Sequence, residues 1–215
     1  MASKTTQIIS QVSSDGKYVT TEVIDRGGKI YKVKEKNSWN TLSDIEVRLF
    51  YLNTPTKISF KHLMKVNTVS FGSVFLYKNG FRVFPFGEEG DDSLKIDRRK
   101  QQGYARFLGT RDIIGFIEIK SANEDDFKET SSRDGGLIET RAYKDLQEYF
   151  FQNVLRRLEI YVVDTLDWTY VRETQTEINP EKKKAEIIQL IEKLTQSDNF
   201  VEIEASEIMP EITFV

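Results

Sequence analysis

Apolar and polar positions alternate along the first half of the chain and shift to a helical period in the second. Lys17-Tyr-Val-Thr-Thr-Glu-Val-Ile24 and Lys29-Ile-Tyr-Lys-Val-Lys34 read as two strands, and Asp25-Arg-Gly-Gly28 between them is a turn signal, so a hairpin is expected. Ile45-Glu-Val-Arg-Leu-Phe-Tyr-Leu52 alternates as a third strand. Asn53-Thr-Pro55 reads as a helix start, with Thr54 as its cap and Pro55 in the first turn; the helix would run to about Lys65, although residues 57–60 also suit extended chain. Val69 to Tyr77 and Phe81 to Phe86 flank Lys78-Asn79-Gly80, and Asn-Gly between apolar runs is a strong short-range hairpin signal. Residues 87–110 are polar and predict a long loop with a helical turn around residues 94–100, a length usually reserved for functional or mobile segments. Ile113 to Lys120 is a further strand, followed by the polar loop Phe127-Lys-Glu-Thr-Ser-Ser-Arg-Asp-Gly-Gly-Leu137. From Thr140 onward Ala142, Leu146, Tyr149, Phe150, Val154, Leu158, Tyr161 and Val162 fall on one helical stripe. Residues 169–179 are linker-like, Pro180 opens a second helix bearing Ile187, Ile188, Leu190, Ile191 and Leu194, and the acidic and apolar tail from Asn199 to Val215 reads as part of a longer protein.

Composition narrows this picture. The 215 residues are 39% hydrophobic and 12% aromatic, enough for a core in one large domain or a domain with an appendage. A net charge of -3 gives no overall electrostatic drive toward nucleic acid. With no cysteine, disulfides, thiolate zinc sites and cysteine nucleophiles are excluded. The single histidine, His62, has no partner pattern that would make it a catalyst. The start lacks an apolar signal region and no stretch reaches the length of a bilayer span, so a cytoplasmic protein without a membrane partner is expected.

Two segments carry candidate chemistry. A strand, a loop rich in glycine and hydroxyls with one cation, and a helix together form a common arrangement for presenting positive charge to a phosphate. Here the cation near the loop's centre is its one arginine, Arg133, flanked by Thr130, Ser131, Ser132, Asp134, Gly135 and Gly136. A guanidinium is permanently charged and grips phosphate bidentately, whereas pairing with Asp134 would reduce it to a surface ion pair. The hydroxyls equally suit turn stabilisation, and the glycines supply backbone freedom. The second segment places Arg98, Arg99, Lys100, Arg106 and Arg111 beside Tyr104 and Phe107, a mixture that suits nucleic acid or an acidic protein surface. Asp91, Asp92, Asp97 and Asp112 offset those cations, so a salt-bridged loop explains them as well. The acidic pairs Glu88/Glu89, Asp91/Asp92 and Asp125/Asp126 lack calcium-loop spacing, and no P-loop, dinucleotide-binding glycine fingerprint or nucleophile-elbow serine occurs. No self-contained active site is expected.

The runs Phe71-Gly-Ser-Val-Phe-Leu-Tyr-Lys-Asn-Gly-Phe-Arg-Val83, Arg98-Arg-Lys-Gln-Gln-Gly-Tyr-Ala-Arg-Phe-Leu-Gly-Thr-Arg-Asp112 and Ser131-Ser-Arg-Asp-Gly-Gly-Leu137 resemble the transducer, or middle, domain of bacterial GHKL-type ATP-binding proteins. That class comprises gyrase, the ninety-kilodalton heat-shock chaperone, histidine kinases and MutL. The resemblance implies an α+β fold, a two-layer sandwich of mixed sheet and helices like the second domain of ribosomal protein S five, with a left-handed βαβ crossover and here a C-terminal helical appendage. It divides the chain into a β-hairpin extension (1–43), a transducer domain (44–168) and a linker, helix and tail (169–215). In such relatives a lysine or arginine on the loop before the long helix touches the ATP γ-phosphate and assists hydrolysis, a role that falls on Arg133. Gyrase-type loops carry Gln-Thr-Lys where this chain has Ser-Ser-Arg, nearer the chaperone pattern. The family's magnesium-holding asparagine, its Asp-Gly-x-Gly motif and its lid are missing, and Asp15-Gly16-Lys17 does not supply them. ATP and magnesium would therefore belong to a parent protein, with none bound by this chain alone. Its expected partners are its own ATPase domain, a second copy, and a client protein or nucleic acid.

Overall fold

The computed structural model describes residues 5–102, 107–120, 125–131, 135–165, 189 and 200–205. Eight strands form one mixed sheet: β1 (Thr6–Val12), β2 (Tyr18–Asp25), β3 (Gly28–Lys36), β4 (Ile45–Tyr51), β5 (Val74–Lys78), β6 (Phe81–Val83), β7 (Ile113–Ile119) and β8 (Phe200–Ala205), in the spatial order β6-β5-β7-β4-β1-β2-β3-β8. All neighbours are antiparallel except β5 with β7, which run parallel, so residues 79–112 form a crossover connection. The expected hairpins close as the sequence suggests. Arg26 and Gly27 take φ values of 48° and 88°, and Asn79 and Gly80 values of 50° and 81°, the left-handed pair that fits the twist of two-residue hairpins.

Alternation decides which side chains enter the core. Ile45, Val47, Leu49 and Tyr51 on β4, and Ile113, Ile117 and Ile119 on β7, are buried beneath a long helix that begins at residue 141. That helix starts as α4 (Arg141–Tyr149), widens into a π-helical segment (Phe150–Leu155), returns to α5 (Arg156–Glu159) and widens again (Ile160–Thr165), so the numbering of α5 follows that of the remaining helices. All eight residues of the expected stripe are buried. Each large apolar side chain so buried contributes about 1.5–3 kcal/mol, which is what holds the helix across the sheet.

Residues of opposite parity face the other side. Phe50 and Ile114, with Leu52 from the segment after β4, meet Phe60 of α1 (Thr54–Met64) and Phe71 of α2 (Thr68–Phe71), adding a partial third layer to the expected two. A further helix, α3 (Ile96–Lys100), lies in the crossover.

Several expectations change. Asn53, not Thr54, caps α1, its side chain accepting the Thr56 N–H at 2.9 Å. The strand expected from Val69 begins only at Val74, because Thr68 to Phe71 form a helical turn whose Phe71 packs on Phe60 at 5.1 Å between ring centroids. Strand β1 was not anticipated and lies between β4 and β2. Residues 200–205 pair with β3 as an edge strand. The linker at 169–179 and the helix expected after Pro180 lie outside the described residues, Gln189 excepted.

Candidate functional site

The loop between β7 and the long helix is a small hairpin built on a buried base. Phe127 and Leu137 are both buried in the main core. Between them Glu129 and Leu137 form an antiparallel bridge, the Thr130 amide donates to the Gly136 carbonyl at 2.9 Å, and the Ile138 amide to Lys128 at 2.8 Å. The Lys78 Nζ donates to the Phe127 carbonyl at 2.8 Å, tying the base to the β5–β6 hairpin. On the other flank Thr140 caps the helix: its hydroxyl accepts the Tyr143 N–H at 3.2 Å and donates to the Asp126 carbonyl at 2.5 Å. The Gly136 amide donates to the Phe84 carbonyl, holding the hairpin against the turn after β6.

This geometry assigns the candidate loop residues. The Thr130 hydroxyl donates to the Gly135 carbonyl at 2.6 Å, so it stabilises the turn. Gly135 has φ +66°, and a Cβ there would stand 2.6 Å from the Phe84 carbonyl oxygen, so glycine is required both by conformation and by space. Gly136 continues the bend at φ +91°. Ser131 is exposed at the tip. Ser132, Arg133 and Asp134, at the centre of the tip sequence, lie outside the described residues.

The second cationic segment is largely committed to the fold. Arg99 makes two bonds to the Glu159 carboxylate, at 2.9 and 2.7 Å, and its guanidinium stacks 4.0 Å from the Phe107 ring centroid. The same carboxylate accepts the Leu108 amide at 3.0 Å. Lys100 pairs with Asp112 at 2.5 Å, where Lys57 at 3.2 Å and the Gly109 amide at 3.0 Å also converge. Burial raises the Asp112 pKa, but the Lys100 and Gly109 hydrogen bonds and the two ammonium charges outweigh it and hold the carboxyl below its ordinary value. Asp97 accepts from Thr110, and the Asp92 carboxylate accepts the Asp97 and Arg98 amides in the first turn of α3. Arg98 and Arg111 are exposed, Arg111 on a groove shared with Glu88, Glu89 and Asp97, while Arg106 lies outside the described residues. Thus two of the four described cations in this segment are neutralised, and a third sits among carboxylates.

His62 is exposed near the end of α1. Among the described residues no three histidine or acidic side chains are grouped to hold a metal ion, and no helix is long and apolar enough to cross a membrane.

A buried polar seam between sheet and helix escaped the sequence pattern. Glu35 accepts from Arg157 at 2.8 Å and from Asn153 at 2.8 Å; Tyr149 donates to Ser10 at 2.7 Å, and Ser10 bonds Thr21 at 2.8 Å. Burial, aided by the Glu35 charge and opposed by Arg157, pushes the Tyr31 phenol up to about 12. The one available sequence signal was a pair of charges, Glu35 and Arg157, interrupting otherwise apolar faces.

No protein-family model, curated protein or solved structure gives a significant match to the chain.

Proposed function

We propose that this chain is the transducer portion of a GHKL-type ATP-hydrolysing protein, with the S five-like crossover implied by its sequence resemblance, and that Arg133 completes the ATP site of a separate nucleotide-binding domain. The observation that carries this proposal is the anchored hairpin at residues 128–138: its base is held by backbone bonds and buried side chains at both ends, and Arg133 lies at the centre of the sequence between those two anchors. A loop meant only to connect strand and helix has no need of such anchoring. Preorganised support is what a phosphate-contacting cation requires, because a charge fixed in place before the reaction costs no reorganisation as negative charge develops on the transferring phosphoryl group. ATP and magnesium would be held by the nucleotide-binding domain; this chain contributes the guanidinium and the helix behind it. Burial of Arg99 and Lys100 in ion pairs weighs against the alternative of a nucleic-acid or protein module reading partners through residues 98–111.

The test is made on the polypeptide that carries both this chain and its nucleotide-binding domain. Arg133→Ala should lower ATP turnover by about 10²–10³-fold, the cost of removing one donor aimed at developing charge, with ATP affinity changed little. Unchanged turnover removes Arg133 from the mechanism.

A further inference from the structure

Two charged residues of α5 are buried on opposite sides of the helix. Arg157 and Glu159 are 6% and 4% exposed, and two residues on an α-helix stand about 200° apart around its axis. Arg157 reaches the sheet, bonding Glu35 on β3 with Nη2. Glu159 reaches the crossover segment, where it holds both the Arg99 guanidinium and the Leu108 amide. One helical turn is therefore fastened by charge to two regions of the molecule that are far apart in sequence. Leaving either charge buried without its partner is costly, so each fastening is all or none.

The turn is also bracketed by the two π-helical segments, 150–155 and 160–165. A π turn encloses one more residue in each hydrogen-bonded ring than an α turn, so exchanging i→i+5 for i→i+4 bonds rotates whatever lies next to it. The seam is not fully satisfied in its hydrogen bonding: among the described residues the Tyr31 hydroxyl and Arg157 Nη1 are buried without a hydrogen-bond partner. Those two groups lie close enough for the Arg157 charge to act on the Tyr31 phenol.

We infer that residues 156–159 form a two-sided bolt, able to shift as a unit between its flanking π segments, and that through it the crossover segment at 95–112 and the sheet at β3 respond to one another. The coupling would serve as the relay of the transducer proposed above, yet it stands on geometry alone and is tested without nucleotide, so its failure and the failure of the ATPase reading are separable.

A thermodynamic cycle on the full chain provides the test. Glu35→Gln and Arg99→Lys alter opposite ends of the bolt, keep side-chain size or charge, and share no partner. If the bolt couples them, the folding equilibrium constant of the double variant departs from the product of the single effects by about fivefold or more; independent sites agree within about twofold. Agreement within that limit overturns the inference. Should a variant prove too unstable for unfolding curves, native-state amide exchange on the other single variant decides the matter. Glu35→Gln should speed exchange of the Leu108 amide by about tenfold while β1 and β4 keep their protection. Reciprocally, Arg99→Lys should expose the β3 amides paired with β2, as linkage requires. Effects confined to the mutated side sink the proposal.

Discussion

Two arginine-bearing loops of this chain are held to the fold in different ways. The crossover segment at 95–112 turns two of its cations inward: Arg99 lies on Glu159 between aromatic rings, and Lys100 shares Asp112 with Lys57. The hairpin at 128–138 is anchored at its base on buried Phe127 and Leu137 and on the Phe84 carbonyl, and Ser131 is exposed. Charge density along the sequence does not separate the two. In the crossover the deciding partner arrives from elsewhere in the fold: Glu159 comes to Arg99 from 60 residues away. A cationic loop is a binding candidate only after its long-range partners have been counted.

The largest effect should come from breaking that inward pairing. Glu159→Ala removes the partner of Arg99 and of the Leu108 amide together, and stranding a buried charge costs about 3–5 kcal/mol. Urea unfolding measures the loss. A change under about 1 kcal/mol would show that Arg99 escapes to solvent at little cost, which would return residues 98–111 to the list of binding surfaces and erase the contrast.

Asp112 sharpens the same contrast through pH. Its folded pKa lies below the ordinary 3.8, so its contribution to stability is complete above that value and is lost as the pH falls through the lower, folded one. Asp112→Asn should cost about 1–3 kcal/mol at neutral pH, where a buried hydrogen-bonded carboxylate is replaced by an amide that cannot pair two ammonium groups. The gap between the two proteins should then close at a pH below 3.8. A gap that stays constant across an acid titration would show that the Lys100 and Lys57 contacts are not what keeps the segment folded inward.

Much of the architecture was legible because alternation and turn chemistry agree: β2, β3, β4 and β7, both short hairpin turns and the long helix all follow from local pattern. Strand β1 was not. Its inward positions Thr6, Ile8, Ser10 and Val12 include two hydroxyls, satisfied by Asp25 and by Thr21 and Tyr149, so the alternation is hidden by polar residues whose partners are distant. Asn153, Arg157 and Glu35 were illegible for the same reason: a buried ion pair resembles a surface one until the fold brings its halves together. The candidate hairpin was legible as a loop between strand and helix, whereas its fastening to Phe84 was not, since backbone-to-backbone bonds leave no mark on residue identity.

That fastening supplies the smallest and most local prediction. At Gly135 a methyl group would be strained at φ +66° and would press on the Phe84 carbonyl oxygen at 2.6 Å. A left-handed conformation costs a non-glycine residue about 1–2 kcal/mol, and the hairpin can relieve the contact by peeling away from the β6 turn while Phe127 and Leu137 stay in the core. Gly135→Ala should therefore lower global stability by about 1 kcal/mol at most. It should instead release the amides of Thr130 and Gly136, whose exchange rises about tenfold while that of the neighbouring strands is unchanged. In the ATP-hydrolysing protein proposed above, the same substitution should lower turnover without altering Arg133 itself, because the proposed cation on an unfastened loop would reach its phosphate only part of the time. If exchange rises and turnover does not fall, the rigidity of the hairpin base has nothing to do with catalysis, and the contrast between a charge-paired crossover and a backbone-anchored hairpin loses its functional half.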